Sequence, residues 1–163
     1  MQDNIIVKPS VEKQFDRFLR QGRVLFFSAP CGFGKTAVAE ALLSSREVLR
    51  LPADSVGSKL PSAEADWQIL LLDDLQDMQE EQDWNALCEL IRACPERRFV
   101  LLSRGTPPGS LMAFQYTGLM TVLEADDLLF DADDVRRLLR LYGVEAADSE
   151  IDGILKESVG YPL

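Results

Sequence analysis

Residues Ala29 to Thr36 read APCGFGKT, between a short apolar run, Val24-Leu25-Phe26-Phe27, and a helix-forming run that starts at Lys35 and continues through Ala37, Val38, Ala39, Glu40, Ala41 and Leu42. Strand, glycine-rich loop and helix in that order are the setting of a phosphate-binding loop. A polyphosphate needs several backbone N–H groups aimed at its oxygens, and Gly32 and Gly34 permit backbone conformations that a side chain obstructs. Lys35 then reaches the outer phosphates and the Thr36 hydroxyl can hold Mg²⁺. The usual pattern begins with glycine; here Ala29 stands at that position.

The chain around this loop has 163 residues, enough for one domain with a real core, and 47% of them are hydrophobic. Seventeen basic against twenty-seven acidic residues leave a net charge of −10. Such a surface repels DNA and anionic lipid, which argues against this stretch being a nucleic-acid-binding part. There is no histidine. That excludes a histidine-dependent hydrolase and a zinc site with histidine ligands. Cys31, Cys88 and Cys94 are odd in number and lack paired-ligand spacing, as reduced cytosolic thiols do. No apolar run approaches the roughly 18 residues of a membrane span, so a cytoplasmic protein without membrane contact is expected.

Before the loop, Ser10 is placed to cap a helix with Val11, Phe15, Phe18 and Leu19 at helical spacing and Gly22 at its end. After the loop helix, which Ser44 and Ser45 close, Val48 to Leu51 reads as a second strand. Residues 52–67 are rich in Pro, Ser and Gly and are expected to form a loop with at most one helical turn. Ile69 to Leu72 is continuously apolar and ends in Asp73-Asp74, the pattern of a strand buried on both faces. A helix with Trp84, Leu87, Cys88 and Ile91 on one face stops at Pro95, and Phe99 to Leu102 is a further buried strand ending in Ser103-Arg104. A short helix over 110–116 and a last strand over 120–123 complete the alternation.

Strands alternating with helices predict an α/β domain, a three-layer sandwich with a mainly parallel sheet. Ligands of such sheets sit at the carboxyl ends of the strands. Three strands end there in polar groups: the loop itself, Asp73-Asp74 and Ser103-Arg104. Asp73 suits the Mg²⁺ of a nucleotide, Asp74 the positioning or deprotonation of an attacking water, and Arg104 a γ-phosphate contact that ATP offers and ADP lacks. From Asp131 the pattern changes. Asp131 and Asp134 form a capping box for a helix with the apolar stripe Val135, Leu138, Leu139 and Tyr142, and helix-start chemistry accounts for the acidic run 124–134 better than a metal site does. A second amphipathic helix from Ser149 ends at Gly160-Tyr161-Pro162. Residues 1–130 are therefore expected to form the nucleotide-binding core, and 131–163 the start of a helical lid subdomain cut short.

The ordered set SAPCGFGKT, LLLDDL, LLSRGTPPGSL, LLFDADDVRRLL and ESVGYPL resembles the nucleotide-binding domain of the large LuxR-type regulators related to MalT, within the STAND class of signal-transducing P-loop NTPases. The resemblance runs from Phe26 to Leu163, and alanine at the first loop position is common in that family. It implies ATP or ADP with Mg²⁺ as ligands, held by Gly32, Phe33, Gly34, Lys35, Thr36 and Ala37. Thr36 and Asp73 would serve the metal, Asp74 the water, Arg104 the γ-phosphate, and Pro162 the base or ribose. It further implies a slow ATPase switch, ATP-dependent self-association of the full-length protein, and inducer and DNA binding in later domains. The segment 52–67 is shorter than its family counterpart, so an exposed sheet edge is expected, and only Val7-Lys8-Pro9 stands where the family helps to hold adenine. A small-molecule kinase on the same fold, with Arg136, Arg137 and Arg140 as its lid, is the alternative reading of the residues; a module with an empty site is a third.

Overall fold

A computed structural model describes residues 5–162; residues 1–4 and 163 of the two expected segments lie outside it. The strands form where the sequence is continuously apolar. They are β1 (Val24–Ser28), β2 (Val48–Pro52), β3 (Ile69–Asp73), β4 (Arg98–Ser103) and β5 (Met120–Glu124). All pair in parallel in the order β2-β3-β4-β1-β5. Continuous apolarity follows from this position: both faces of the central strands are covered, so neither set of alternating side chains meets water.

The helices are α1 (Pro9–Gln21), α2 (Lys35–Leu43), α3 (Val56–Lys59), α4 (Glu81–Ala93), α5 (Met112–Tyr116), α6 (Ala125–Leu128), α7 (Ala132–Leu141) and α8 (Asp148–Ser158). Val24 and Phe26 of β1 face one way and pack in a core with Leu87, Cys88 and Ile91 of α4 and Phe114 of α5. Leu25 and Phe27 face the other way, into a core with Val11, Phe15 and Phe18 of α1 and Ala39 and Leu43 of α2. The period-two alternation of the strands thus divides the apolar residues into two cores, which is the three-layer sandwich expected.

Two expectations need correction. Ser10 lies inside α1: Lys8 is the N-cap residue, and Pro9 occupies the first turn, where its missing N–H costs nothing. The acidic run 124–134 holds two helix starts rather than one. At the start of α6 the Asp127 carboxylate accepts from the Glu124 N–H at 2.8 Å, and Asp131 and Asp134 form a full capping box on α7. A third expectation is also exceeded: the segment 52–67 holds more than one helical turn, a 3₁₀ turn at Ala53–Ser55 running directly into the single turn of α3. Among the described residues β2 pairs only with β3 and is half-exposed, as the shortness of this segment leads one to expect.

The order of the strands positions the site. Because β4 lies between β1 and β3, the loop after β1, Arg104 after β4 and Asp73-Asp74 at the end of β3 sit side by side. Registers keep the ends level, with Ser28 beside Ser103 and Leu72 beside Leu101. The Ala29 N–H donates to the Ser103 carbonyl at 3.3 Å and extends the β1–β4 ladder into the loop.

Candidate functional site

At these strand ends lies a cavity of about 480 Å³ lined by Gly32 to Val38 of the loop and α2, together with Asp73, Asp74 and Arg104. Its other wall is mostly apolar, from Ile5, Ile6, Val11, Leu128, Phe130, Leu138 and Pro162, with Lys8 among them. One half therefore offers charge and backbone N–H groups, the other a surface suited to a flat, weakly polar ring.

Gly32 and Gly34 adopt φ of +85° and +73°, which L-residues with a Cβ rarely reach. Gly34 stands as the N-cap residue of α2 and supplies no side-chain acceptor, and the first turn contains no acidic residue. In α7, by contrast, the Asp131 carboxylate accepts from the N–H groups of Asp133 and Asp134. The amino end of α2 is thus left with its orphan donors and the positive end of its dipole for an anion.

Lys35 folds back on the loop, donating through Nζ to the carbonyls of Ala29 at 2.7 Å and Pro30 at 2.9 Å. Burial lowers its pKa from the ordinary lysine value, and the nearby charge of Arg104 adds to the lowering, while Cys31 and Asp73 oppose it. The Thr36 hydroxyl donates to Asp73 Oδ2 at 2.9 Å. Asp73 Oδ1 accepts from the Asp74 N–H at 2.7 Å, which holds the carboxylate in place across the end of β3. Asp74 has φ 58° and ψ 37°, a left-handed conformation that is unusual for a residue other than glycine and turns the chain out of the strand.

Arg104 is exposed, and among the described residues no carboxylate pairs with its guanidinium. Arg136 and Arg137 are engaged elsewhere: Arg136 with Asp133 and Asp148, Arg137 with Asp134 and the Val7 carbonyl. Neither lines this cavity.

All residues expected at the site, from Gly32 to Ala37 and including Phe33, with Asp73, Asp74, Arg104 and Pro162, border this one cavity. Others were not singled out by sequence reasoning. Ile5, Ile6, Leu128 and Phe130 belong to segments far apart in sequence, and only the topology brings them together. Tyr161 was read as part of a chain end, yet its hydroxyl donates to the Cys31 carbonyl at 2.6 Å and its ring meets Phe33 edge-on at 4.7 Å. Gln76 donates through Nε2 to Asp74 Oδ1 and accepts from the Arg104 N–H. A glutamine just past an acidic strand end was the available signal.

The geometry fits a nucleotide with a divalent cation: an uncapped helix end, two glycines in left-handed conformations, and a hydroxyl already paired with a carboxylate.

No family model matches the sequence, and no curated protein matches it. Solved structures do. A STAND protein (Signal Transduction ATPase with Numerous Domains) with a tetratricopeptide repeat sensor, from Pyrococcus horikoshii, matches with TM-score 0.64 and 12% identity over 98% of this chain and 29% of that one. A mutant of RuvB from Thermotoga maritima matches with TM-score 0.61 and 20% identity, over 98% of this chain and 60% of that one. A DNA replication initiation factor gives TM-score 0.56 and 17% identity, with 96% and 59% covered. The chain spans less than two thirds of each of these proteins. At such identities the likeness is one of fold, and it agrees with the sheet order and the loop: the chain has the α/β fold of the P-loop NTPases.

Proposed function

We propose that this chain is an ATP- and ADP-binding switch domain that hydrolyses ATP slowly. The observation that carries the reading is the meeting, in one cavity, of the uncapped α2 end, the Thr36–Asp73 pair and an Arg104 guanidinium that has no carboxylate partner among the described residues. Backbone N–H groups of the loop and Lys35 bind the phosphates, Lys35 exchanging its two carbonyl partners for phosphate oxygens. Thr36 and Asp73, already paired with each other, would hold Mg²⁺, which would neutralise phosphate charge. The apolar wall, Pro162 included, takes the base. Asp74 orients the attacking water and accepts its proton; water oxygen bonds to the γ-phosphorus as the bond to the bridging oxygen breaks and its electron pair leaves on ADP.

A kinase would need cationic lid residues over the site; none of Arg136, Arg137 and Arg140 lines the cavity, and the first two pair with carboxylates elsewhere, which disfavours it. The fold likeness to a STAND protein supports a regulatory role. In the proposed setting the switch belongs to a larger transcription regulator of the LuxR type, self-associates with ATP, and leaves DNA contact to another domain, consistent with a charge of −10.

Titration calorimetry with ATP and with ADP, each with Mg²⁺, tests this. Binding tighter than about 100 μM, roughly 5.5 kcal/mol, that Lys35→Ala abolishes is expected. Binding unchanged by that substitution would overturn the site, and release of ADP stimulated by a small-molecule acceptor would favour the kinase.

A further inference from the structure

Asp74 and Arg104 come from different strands, and the β3–β4 ladder ends at Leu72 and Leu101, before either of them. Beyond that point the hydrogen bonds that join the two ends pass through one side chain. Gln76 Nε2 donates to Asp74 Oδ1 at 2.9 Å, and Gln76 Oε1 accepts from the Arg104 N–H at 3.1 Å. The orientation of the amide is forced by its partners, because a backbone N–H only donates and a carboxylate only accepts. No other side chain of this size satisfies both ends. Leucine satisfies neither, and glutamate keeps the Arg104 contact while setting two carboxylates against each other.

The amide is also held from behind. Gln76 belongs to the 3₁₀ turn Leu75–Asp77, whose flanking residues Leu75 and Met78 are buried in the core, at 0% and 7% exposure. The left-handed Asp74 directs the chain into this turn. Gln76 itself is half-buried and absent from the cavity lining, whereas Asp74 and Arg104 both line it.

We propose that Gln76 is a positioning residue: it fixes the Asp74 carboxylate for the attacking water and ties that carboxylate to the backbone of Arg104. The two groups that act on the γ-phosphate are then set as a unit, without Gln76 touching the nucleotide. This rests on the ATPase reading above.

Gln76→Leu and Gln76→Glu separate the two links. Amide hydrogen exchange at Arg104, measured by NMR without nucleotide, is expected to quicken about tenfold in Gln76→Leu and to stay near wild type in Gln76→Glu, which keeps the acceptor. Single-turnover hydrolysis with Mg·ATP is expected to fall about tenfold or more in both, while the affinity for ATP stays within about threefold, as the loss of one orienting hydrogen bond away from the phosphates implies. Equal Arg104 exchange in wild type and Gln76→Leu, or wild-type turnover by Gln76→Glu, overturns the inference. Failure of the wild type to bind nucleotide would instead remove the ATPase reading, and the exchange arm would still decide whether Gln76 joins the strand ends.

Discussion

The hydroxyl of Tyr161 reaches across 130 positions of sequence to donate to the carbonyl of Cys31 at 2.6 Å, and it stands where a side chain on the next residue would have to be. A Cβ built on Gly32 would lie 2.3 Å from that hydroxyl oxygen, on a backbone already at φ +85°. The turn that delivers Tyr161 is itself under strain: Val159, a β-branched residue, sits at φ 55°, and the N–H of Phe130 fastens the Gly160 carbonyl at 2.7 Å. The segment after α8 is therefore packed on the phosphate-binding loop.

Gly32→Ala accordingly meets two penalties, the left-handed conformation at about 1–2 kcal/mol and the clash with Tyr161. In a Tyr161→Ala background only the first remains, so the cost of Gly32→Ala in urea denaturation is expected to fall by about 1 kcal/mol or more. Equal costs in the two backgrounds would show that the hydroxyl does not crowd the loop. Tyr161→Phe keeps the ring on Phe33 and should cost about 1 kcal/mol for the lost hydrogen bond.

Helix α7 starts on a single carboxylate. Asp131 Oδ1 accepts from the Asp133 N–H at 2.9 Å and the Asp134 N–H at 3.0 Å. The hydrogen bond from the Asp134 N–H is the main reason its pKa lies below the ordinary 3.8, with Lys8 and the Asp133 N–H assisting against partial burial. Asp131→Ala should cost about 1 kcal/mol at neutral pH. Since the folded pKa is depressed, this contribution is complete above the ordinary carboxylate value and disappears as pH falls through the folded pKa. Denaturation curves of wild type and variant should therefore begin to draw together only as pH falls past about 4 and meet below the folded pKa, and a gap that persisted there would assign the loss to packing.

Much of this architecture could be read from the chain, and the parts that could not have physical reasons. Val24 to Phe27 and Ile69 to Leu72 betray central parallel strands because both faces are apolar, and the strand ends announce themselves through Asp73-Asp74 and Ser103-Arg104. A cap is decided by backbone conformation, so Ser10, a favoured capping type, gives way to Lys8, whose extended φ and ψ put the helix start at Pro9. Helix α6 is four residues long and gives too short a pattern for periodicity. The apolar wall of the site joins Ile5, Phe130 and Pro162, contacts that exist only once the sheet order is known. Tyr161 acts through one hydrogen bond and Gln76 through two, and such bonds leave no mark on composition.

Asp134 is a carboxylate at 2% exposure with two cations beside it, Lys8 Nζ at 3.6 Å and Arg137 Nη1 at 3.7 Å. It also accepts from the Asp131 N–H at 3.1 Å. Through these bonds it ties α7 to the chain preceding α1, next to the apolar wall. Asp134→Ala is expected to cost about 2–4 kcal/mol, because it strands the largely buried Lys8 ammonium. Asp134→Asn keeps an acceptor for Asp131 and removes only the charge, so it should cost less by about 1 kcal/mol or more. Thermal denaturation of both variants measures the difference, and equal losses would mean that the hydrogen bond from the Asp131 N–H contributes nothing beyond the charge.

If the chain is the proposed ATP switch, Arg104 is the residue expected to distinguish its two nucleotides. Its backbone N–H is fixed by Gln76, its guanidinium has no carboxylate partner among the described residues, and its charge already opposes the protonation of Lys35 across the cavity. Two cations that repel one another gain most from an anion placed between them, and ATP carries one phosphate more than ADP in that direction. Arg104→Ala should therefore weaken ATP binding more than ADP binding, by about tenfold or 1.4 kcal/mol in the ratio of affinities. Arg104→Lys retains a point charge without the two-pronged donor and should recover part of the ratio. Calorimetry on the two nucleotides with each variant measures it directly. A substitution that weakened ATP and ADP equally would make Arg104 a general contributor to phosphate attraction, and the distinction between the two states would have to come from Asp74 and the Thr36–Asp73 pair.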